Sequence, residues 1–346
     1  MPKSPMKFIR TLAVTIITIV LFSLQGARAD DVIINAVGDI MLAGPWTKSL
    51  EKRGYPFFFK EVESELAQAD INLANLELPL ARCGVEYTAK KFRFRGSPAV
   101  APALRSAGFN IVTLANNHSM DFGWPALAET FQHLDNAGIA RIGAGKNLRE
   151  ARRAVFFNVK GKRIAFLGYS LTQPIEFFAD TKRPGTAPGY THLITADVAK
   201  ARTQADFVIV SLHWGREAVF MPLDYQRKTA HQTIEAGADV IIGHHPHVLQ
   251  GIERYGRGVI FYSLGNFAFA SRSATADVSA MIRLRLGNAV REAEIIPLDV
   301  LYKRVAFQPR LLRGKEAERV IGKINELSRS FSTEITARNG RYILTF

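Results

Sequence analysis

Seven side chains in this sequence are of the kinds that hold or assist a divalent metal: Asp39, Glu77, Asn117, His118, His213, His245 and His247. Carboxylates, an amide oxygen and neutral imidazoles suit borderline ions such as Zn²⁺, Mn²⁺ or Fe²⁺, and not Ca²⁺. Of the eight histidines in the chain, four stand at His213 and within His244-His245-Pro246-His247, with His118 a fifth. Core packing alone does not call for such crowding. A residue before proline favours extended backbone, and residues two apart on an extended segment face the same side. The pattern therefore predicts His245 and His247 on one site, or on two adjacent ones, with His244 turned away in a supporting role.

The elements that must position these residues recur along the chain. Val32–Val37 runs into Gly38-Asp39, Ile71–Leu76 into Glu77, and Ile111–Ala115 into Asn116-Asn117-His118. Phe207–Leu212 runs into His213-Trp214-Gly215, and Val240–Ile242 into Gly243-His244-His245. A sixth apolar run, Val259–Leu264, ends at Gly265-Asn266-Phe267. Between them lie helix-period segments near 57–69, 98–107, 124–137, 195–204 and 223–236, several finishing at a glycine (Gly108, Gly138, Gly237), as helix C-termini favour. Strands alternating with helices, and apolar throughout, predict an α/β protein with a largely parallel sheet covered on both faces. Ligands of such sheets sit beyond the carboxyl ends of the strands, the edge where all five polar clusters fall. Residues 155–170 read as a hairpin around Lys160-Gly161-Lys162, residues 278–286 and 291–300 as antiparallel strands, and 315–328 as a terminal helix. No linker interrupts the pattern, so residues 30–346 are expected to form a single domain, with a motif core at 33–270 and C-terminal strands and helix in 271–346.

Residues 1–29 read as an address. Lys3, Lys7 and Arg10 precede the uncharged Thr11–Leu24, and Ala27-Arg28-Ala29 offers small residues at the exit, the build of a secretory signal peptide. The apolar stretch is shorter than the roughly 20 residues of a membrane span, with an uncleaved anchor as the rival reading. The expected location is periplasmic or envelope-associated. The net charge is +14, and the leader removes four bases and no acid. The remaining chain stays basic, which suits an anionic partner without naming one. A single cysteine, Cys83, excludes an intrachain disulfide framework and any cysteine-based zinc cluster. A hydrophobic content of 47% with 22% charged residues excludes wholesale disorder. P-loop, Rossmann and nucleic-acid motifs are missing, so no nucleic acid is expected among the partners.

Taken in order, Gly38-Asp39, Asn75-Leu76-Glu77, Asn116-Asn117-His118 with Asp121 and Gly123, His213-Trp214-Gly215 with Glu217, Gly243-His244-His245-Pro246-His247 and Tyr262–Phe267 resemble the CapA-type capsule (poly-γ-glutamate) synthesis proteins. That family is similar in turn to the calcineurin-like metallophosphoesterases. The resemblance implies a four-layer α-β-β-α sandwich, two sheets face to face with helices outside, and one or two divalent ions (Mn, Zn or Fe) at the strand ends. It implies Asp39 and His247 on the first metal, Glu77 at the bridge, and Asn117, His213 and His245 on the second metal. His118 would be the acid or charge stabiliser, with Asn116, His244 and Asn266 behind the ligands. Two departures set the chain apart from ordinary phosphoesterases. Asp-x-His on the first strand reads Asp39-Ile40-Met41, which removes one ligand of the first metal. That site is expected to be weaker, empty or completed by another side chain. Glutamate for aspartate at the bridge adds a methylene of reach.

Two such cations would acidify a water and clamp a substrate oxygen, and His118 could protonate a leaving group. Phosphoesters and amides, including γ-glutamyl amides, are compatible scissile bonds. Lys90-Lys91-Phe92-Arg93-Phe94-Arg95 alternates base and aromatic. On a strand its bases would share one face, either as an anion-recognition strip using Arg93 and Arg95 or as an edge protected by charge. Arg216 and Glu217 could orient substrate or ligands, or form a structural salt bridge. The resulting expectation is an exported CapA-like protein of capsule, poly-γ-glutamate or other envelope-polymer synthesis or turnover, acting as a dinuclear-metal hydrolase. The alternative is a non-catalytic accessory protein that binds an anionic polymer and keeps a vestigial metal site. Expected partners are an anionic polymer or small anionic substrate and a membrane-embedded synthase complex.

Overall fold

The computed structural model describes Met1 and residues 31–346, so the leader read in residues 1–29 lies, Met1 apart, outside the described residues. The apolar runs become strands with both faces buried. β1 (Val32–Ile40), β2 (Ile71–Leu76), β3 (Ile111–Thr113) and β4 (Ala140–Ile142) pair in parallel. After the short β5 (Ala144–Gly145), the hairpin expected at 155–170 forms β6 (Val155–Val159) and β7 (Lys162–Ser170). β8 (Gly185–Thr186) pairs with β5. β9 (Phe207–His213) and β10 (Val240–His244) continue in parallel from β7; β11 (Ile252–Tyr255) lies antiparallel to β12 (Gly258–Phe261), which runs parallel to β10. β13 (Val278–Leu286) and β14 (Val290–Asp299) return antiparallel beside β1, followed by β15 (Arg310–Leu311), β16 (Thr336–Arg338) and β17 (Arg341–Thr345). Two main sheets result, in the orders β16-β17-β14-β13-β1-β2-β3-β4, with β15 on β14, and β11-β12-β10-β9-β7-β6.

Side chains alternate between two cores. Ile34, Leu73 and Ile111 of the first sheet meet Ile164, Phe166, Ile209 and Ile242 of the second. Their neighbours Ala74, Leu76 and Val112 point outward, beneath helices Val100–Ser106 and Gly123–Asn136. On the other side Val208, Val210 and Ile241 lie beneath helices Thr191–Arg202 and Asp224–Glu235. Each large apolar side chain so buried contributes about 1.5–3 kcal/mol. The architecture is the four-layer α-β-β-α sandwich. The strands are covered on both faces as expected, each sheet by helices on one face and by the other sheet on the other. A strand's periodicity records that both faces are covered, not what covers them.

Gly108, Gly138 and Gly237 end their helices with φ of +95°, +68° and +118°. The segment near 57–69 is mostly a 3-10 turn, Tyr55–Val62, before the short helix Glu63–Leu66. The helix expected at 315–328 spans Gly314–Ser328, yet it is not terminal, because β16 and β17 follow it. Thr336–Arg338 is exposed throughout and so leaves no apolar run to read. Cys83 is exposed. Among the described residues no helix is long and apolar enough to cross a membrane.

The sheets are stitched together at the edge that carries the polar clusters. Asp39 N–H donates to Gly265 O at 3.1 Å, and Phe267 N–H donates to Asp39 O at 2.8 Å. This approach requires glycine at 38, since a Cβ there would sit 1.9 Å from Gly265 O. Gly38→Ala should lower the unfolding free energy by about 1–3 kcal/mol. Urea denaturation checks this, and an unchanged midpoint would show that the 265–267 loop yields without cost.

Candidate metal centre

Asp39 enters the centre from the end of β1, just past a register shift between Ala36 and Asp39. Its carboxylate is fully buried. Oδ1 accepts from Asn75 Nδ2 at 2.8 Å and lies 3.2 Å from His244 Nδ1. Oδ2 lies 3.1 Å from His247 Nδ1. Glu77 follows β2 and is held by its own N–H donating to Ile40 O at 2.9 Å. Its Oε1 is buried without a hydrogen-bond partner, 3.5 Å from His213 Nε2 and 3.9 Å from His247 Nε2. Asn117, on the loop after β3, places Oδ1 2.8 Å from His213 Nε2.

Two ligand-type groups overlap at Glu77. Glu77, His213 and His245 offer atoms within 4.8 Å of one another, and so do Asp39, Glu77 and His247. The six residues assigned as ligands by the resemblance thus converge from both sheets. Their supports are in place as well. Asn116 Nδ2 donates to Asn75 Oδ1 and Leu76 O, while its Oδ1 accepts from the backbone of His118 and Ser119. Asn266 Oδ1 lies 2.9 Å from His247 Nδ1, leaving Nε2 toward Glu77.

The geometric reason given for the His245–His247 pair is corrected. His245 has φ +94° and His247 φ +57°, so the loop is left-handed at both residues and not extended. Strained backbone of this kind persists only where surrounding contacts hold it. His244 is buried against Asp39 instead of facing away from the site.

Burial and charge sort the protonation states. Burial, and then the neighbouring Asp39, push Glu77 well above the usual carboxyl range. Burial would also raise Asp39, but His244 and His247 hold it well below its ordinary value. Burial, and next His247, depress His245 to about 3, and burial with His245 depresses His213. For His247 burial opposes the charge, yet Glu77 and Asp39 outweigh it and lift the imidazole to about 9. Glu77 and His247 thus both hold a proton more readily than the free side chains do. The orphaned Glu77 oxygen and the partnerless His245 Nδ1 are donors that fit a divalent cation.

A model of the bacterial capsule synthesis protein family (PGA_cap) matches residues 33–271. The chain belongs to that family. It is 33% identical over 276 residues to the PGA biosynthesis protein CapA of Bacillus subtilis strain 168, covering 79% of this chain and 73% of that protein. To the capsule biosynthesis protein CapA of Bacillus anthracis it is 31% identical over 272 residues, 76% of this chain and 66% of the other. The chain thus spans just under two thirds of that relative. Among solved structures, a 5'-nucleotidase precursor from Thermus thermophilus is 12% identical, with 89% of this chain and 61% of that chain covered and a TM-score of 0.48.

In this family member Met41 does not face the centre. It is packed, 2% exposed, in the apolar cluster under the first sheet. Arg216 is exposed, while the adjacent Glu217 brings its carboxylate within 4.8 Å of ligand atoms of His245 and His247. Trp214 is packing: it is buried and its Nε1 donates to Tyr262 O at 3.0 Å.

Residues 90–95 form an irregular loop, not the strand expected, so their bases do not share a face. Arg93 is taken up by Glu86 at 2.8 Å. Arg95 reaches Cys83 O at 3.3 Å and lies over the Phe122 ring. Lys90, by contrast, turns inward, a placement the base–aromatic alternation concealed. Its Nζ donates to Asp121 Oδ1 at 2.6 Å and to Asn117 O, and sits 3.1 Å from His118 Nδ1. An ionised carboxylate can only accept, so the shorter contact, 2.6 Å from His118 Nδ1 to Asp121 Oδ2, is made with the proton on Nδ1. Lys90 then lies beside the ring without donating to it, and Nε2 is left as the free nitrogen. Burial lowers the His118 pKa, with Asp121 opposing.

The buried and exposed pairs of this loop should separate in stability. Lys90→Met strands the fully buried Asp121 and should cost about 3 kcal/mol. Arg93→Ala, whose partner Glu86 is 44% exposed, should cost less than about 1 kcal/mol. Urea unfolding of both variants checks the contrast; equal losses would contradict it.

Proposed function

We propose that the chain is an exported, metal-dependent hydrolase of capsule, poly-γ-glutamate or other envelope-polymer synthesis or turnover. The observation that carries this reading is Glu77, a fully buried carboxylate shared by two ligand groups, with one oxygen left unpartnered. Asp39, Glu77 and His247 would hold one divalent ion and Glu77, Asn117, His213 and His245 another. When bound, such ions would supply Lewis-acid activation of a water and of a substrate oxygen.

The chain's own residues do the rest. Asp121 fixes the His118 tautomer, so that Nε2 is the nitrogen that moves a proton to or from the leaving atom. Lys90 holds Asp121 and the Asn117 carbonyl in place. Two carboxylates do not neutralise two divalent cations, so the loaded centre attracts an anionic substrate. Phosphoesters and γ-glutamyl amides are the bonds that fit, and the names of the Bacillus relatives support the second. An anionic polymer and a membrane-embedded synthase complex are the proposed partners.

Met41 packed in the apolar core favours a second reading, a polymer-binding accessory protein with an incomplete metal site. Another relative, 29% identical over 291 residues, is a Mycobacterium tuberculosis protein named "Probable polyglutamine synthesis accessory protein". Metal-reconstituted protein assayed against phosphoesters, γ-glutamyl peptides and peptidoglycan fragments separates the two. Turnover that depends on bound metal supports the hydrolase, and metal-free protein without turnover supports the accessory.

On any substrate so found, His245→Ala should remove both metal and activity. His118→Ala should keep the metal and lose about 10²–10⁴-fold in rate, as read by metal content and turnover of each purified variant. Loss of metal from His118→Ala would show that His118 is a ligand. Export predicts a mature chain beginning at Asp30 in the mass spectrum of envelope fractions, and an intact residue 1–29 segment there would favour an anchor.

A further inference from the structure

The place vacated on β1 is not refilled from that strand. Met41 is buried with Leu42 and Ala43 in the apolar cluster between the first sheet and its helices, and a thioether there has no access to the centre. The opposite wall supplies a donor instead. After β9 the chain turns through Gly215, at φ +89°, and Ala218, at φ +59°. Ala218 N–H donates to Pro246 O at 2.9 Å, which ties this turn to the loop between His245 and His247. Gly215 N–H donates to Tyr225 Oη at 2.6 Å, which fixes the other end. Held between these two bonds, the Glu217 carboxylate comes within 4.8 Å of ligand atoms on both His245 and His247.

We propose that Glu217 is a metal ligand, completing with His247 the coordination that Met41 leaves open. The assignment rests on the metal-centre reading above. Three observations support it independently of the loop's shape. His245 is nine-tenths buried and its Nδ1 has no partner, so the group that includes Glu217 holds a nitrogen the protein leaves unused. His247 belongs at once to the Glu217 group and to the Asp39–Glu77 group, so the two groups meet at one imidazole. Finally, among the described residues Glu217 forms no ion pair with a lysine or arginine, although Arg216 is its neighbour.

The exchange has a chemical consequence. Glu217 would give this side of the centre a carboxylate oxygen where an added histidine would have offered an imidazole. Oxygen donors suit Mn²⁺, whereas imidazole also suits Zn²⁺ and Cu²⁺. A third carboxylate also brings the centre one charge closer to neutrality, which softens its pull on a substrate anion.

The test is calorimetric titration of the metal-free full chain with Mn²⁺, without any substrate, for wild type, Glu217→Gln and Glu217→Ala. Glu217 is exposed, and thermal unfolding of the metal-free variants checks that they fold as wild type does. Glu217→Ala should weaken or abolish one Mn²⁺-binding event by at least about tenfold and leave any other within about twofold. Glu217→Gln, which keeps one oxygen and loses the charge, should fall between. Wild-type and Glu217→Ala isotherms that superimpose would overturn the assignment while leaving the metal centre standing. A wild-type chain that takes up no Mn²⁺ or Zn²⁺ would instead overturn the metal-centre reading, and this assignment with it.

Discussion

A carboxylate with one oxygen left unpartnered, fully removed from water, is the constraint around which this molecule is arranged. Glu77 closes β2 of one sheet, and the groups that face its free oxygen, His213 and His247, come from the other. An ionised carboxylate in that position costs several kcal/mol unless a cation or hydrogen bonds compensate. Its pKa is therefore pushed up by burial and by Asp39. The protein pairs this with a second carboxylate of opposite habit, since Asp39 is held ionised by His244 and His247. Two acids one strand apart are thus shifted in opposite directions by their surroundings.

That arrangement needs the sheets to approach closely where they end. Apolar packing between Ile34, Leu73, Phe166 and Ile242 sets the spacing in the interior but names no register at the rim. Backbone contacts do so: Asp39 bonds to Gly265 and Phe267 across the gap, and Gly38 has no Cβ because Gly265 O occupies its place. The His245-Pro246-His247 loop is bent the same way, with two histidines in left-handed backbone. Each such residue costs about 1–3 kcal/mol, tolerable only because Ala218 and Asn266 hold the loop from either side. Rigidity at the rim and strain in the loop serve one end, to aim imidazole nitrogens at a fixed point.

Met41 stands just past β1, and its side chain adds to the core under the first sheet. Lys90 shows the converse, a charged residue drawn from a surface loop to the flank of His118, where burial lowers its pKa and the Asp121 carboxylate opposes the shift.

The sequence by itself determined which donors exist and at which end of the molecule they gather. Asp39, Glu77, Asn117, His213, His245 and His247 each follow an apolar run, and parallel strands deliver run ends to one edge whatever the details. The helices at 98–107, 124–137 and 223–236 were legible for the same reason, since a 3.6-residue period and a closing glycine are local properties. Only the tertiary structure decided what no local pattern encodes. Whether the second face of a strand meets a helix or another sheet depends on the partner, because both are equally apolar. The turn of His245 and His247 into left-handed backbone depends on contacts from Ala218 and Asn266, and overrides the extended preference before Pro246. Lys90 was legible only as part of a base–aromatic strip and Glu217 only as a residue that orients substrate or ligands or pairs in a salt bridge, because side-chain chemistry is readable in one dimension and direction is not. Their direction was fixed by loops whose ends are pinned to elements far away in the chain.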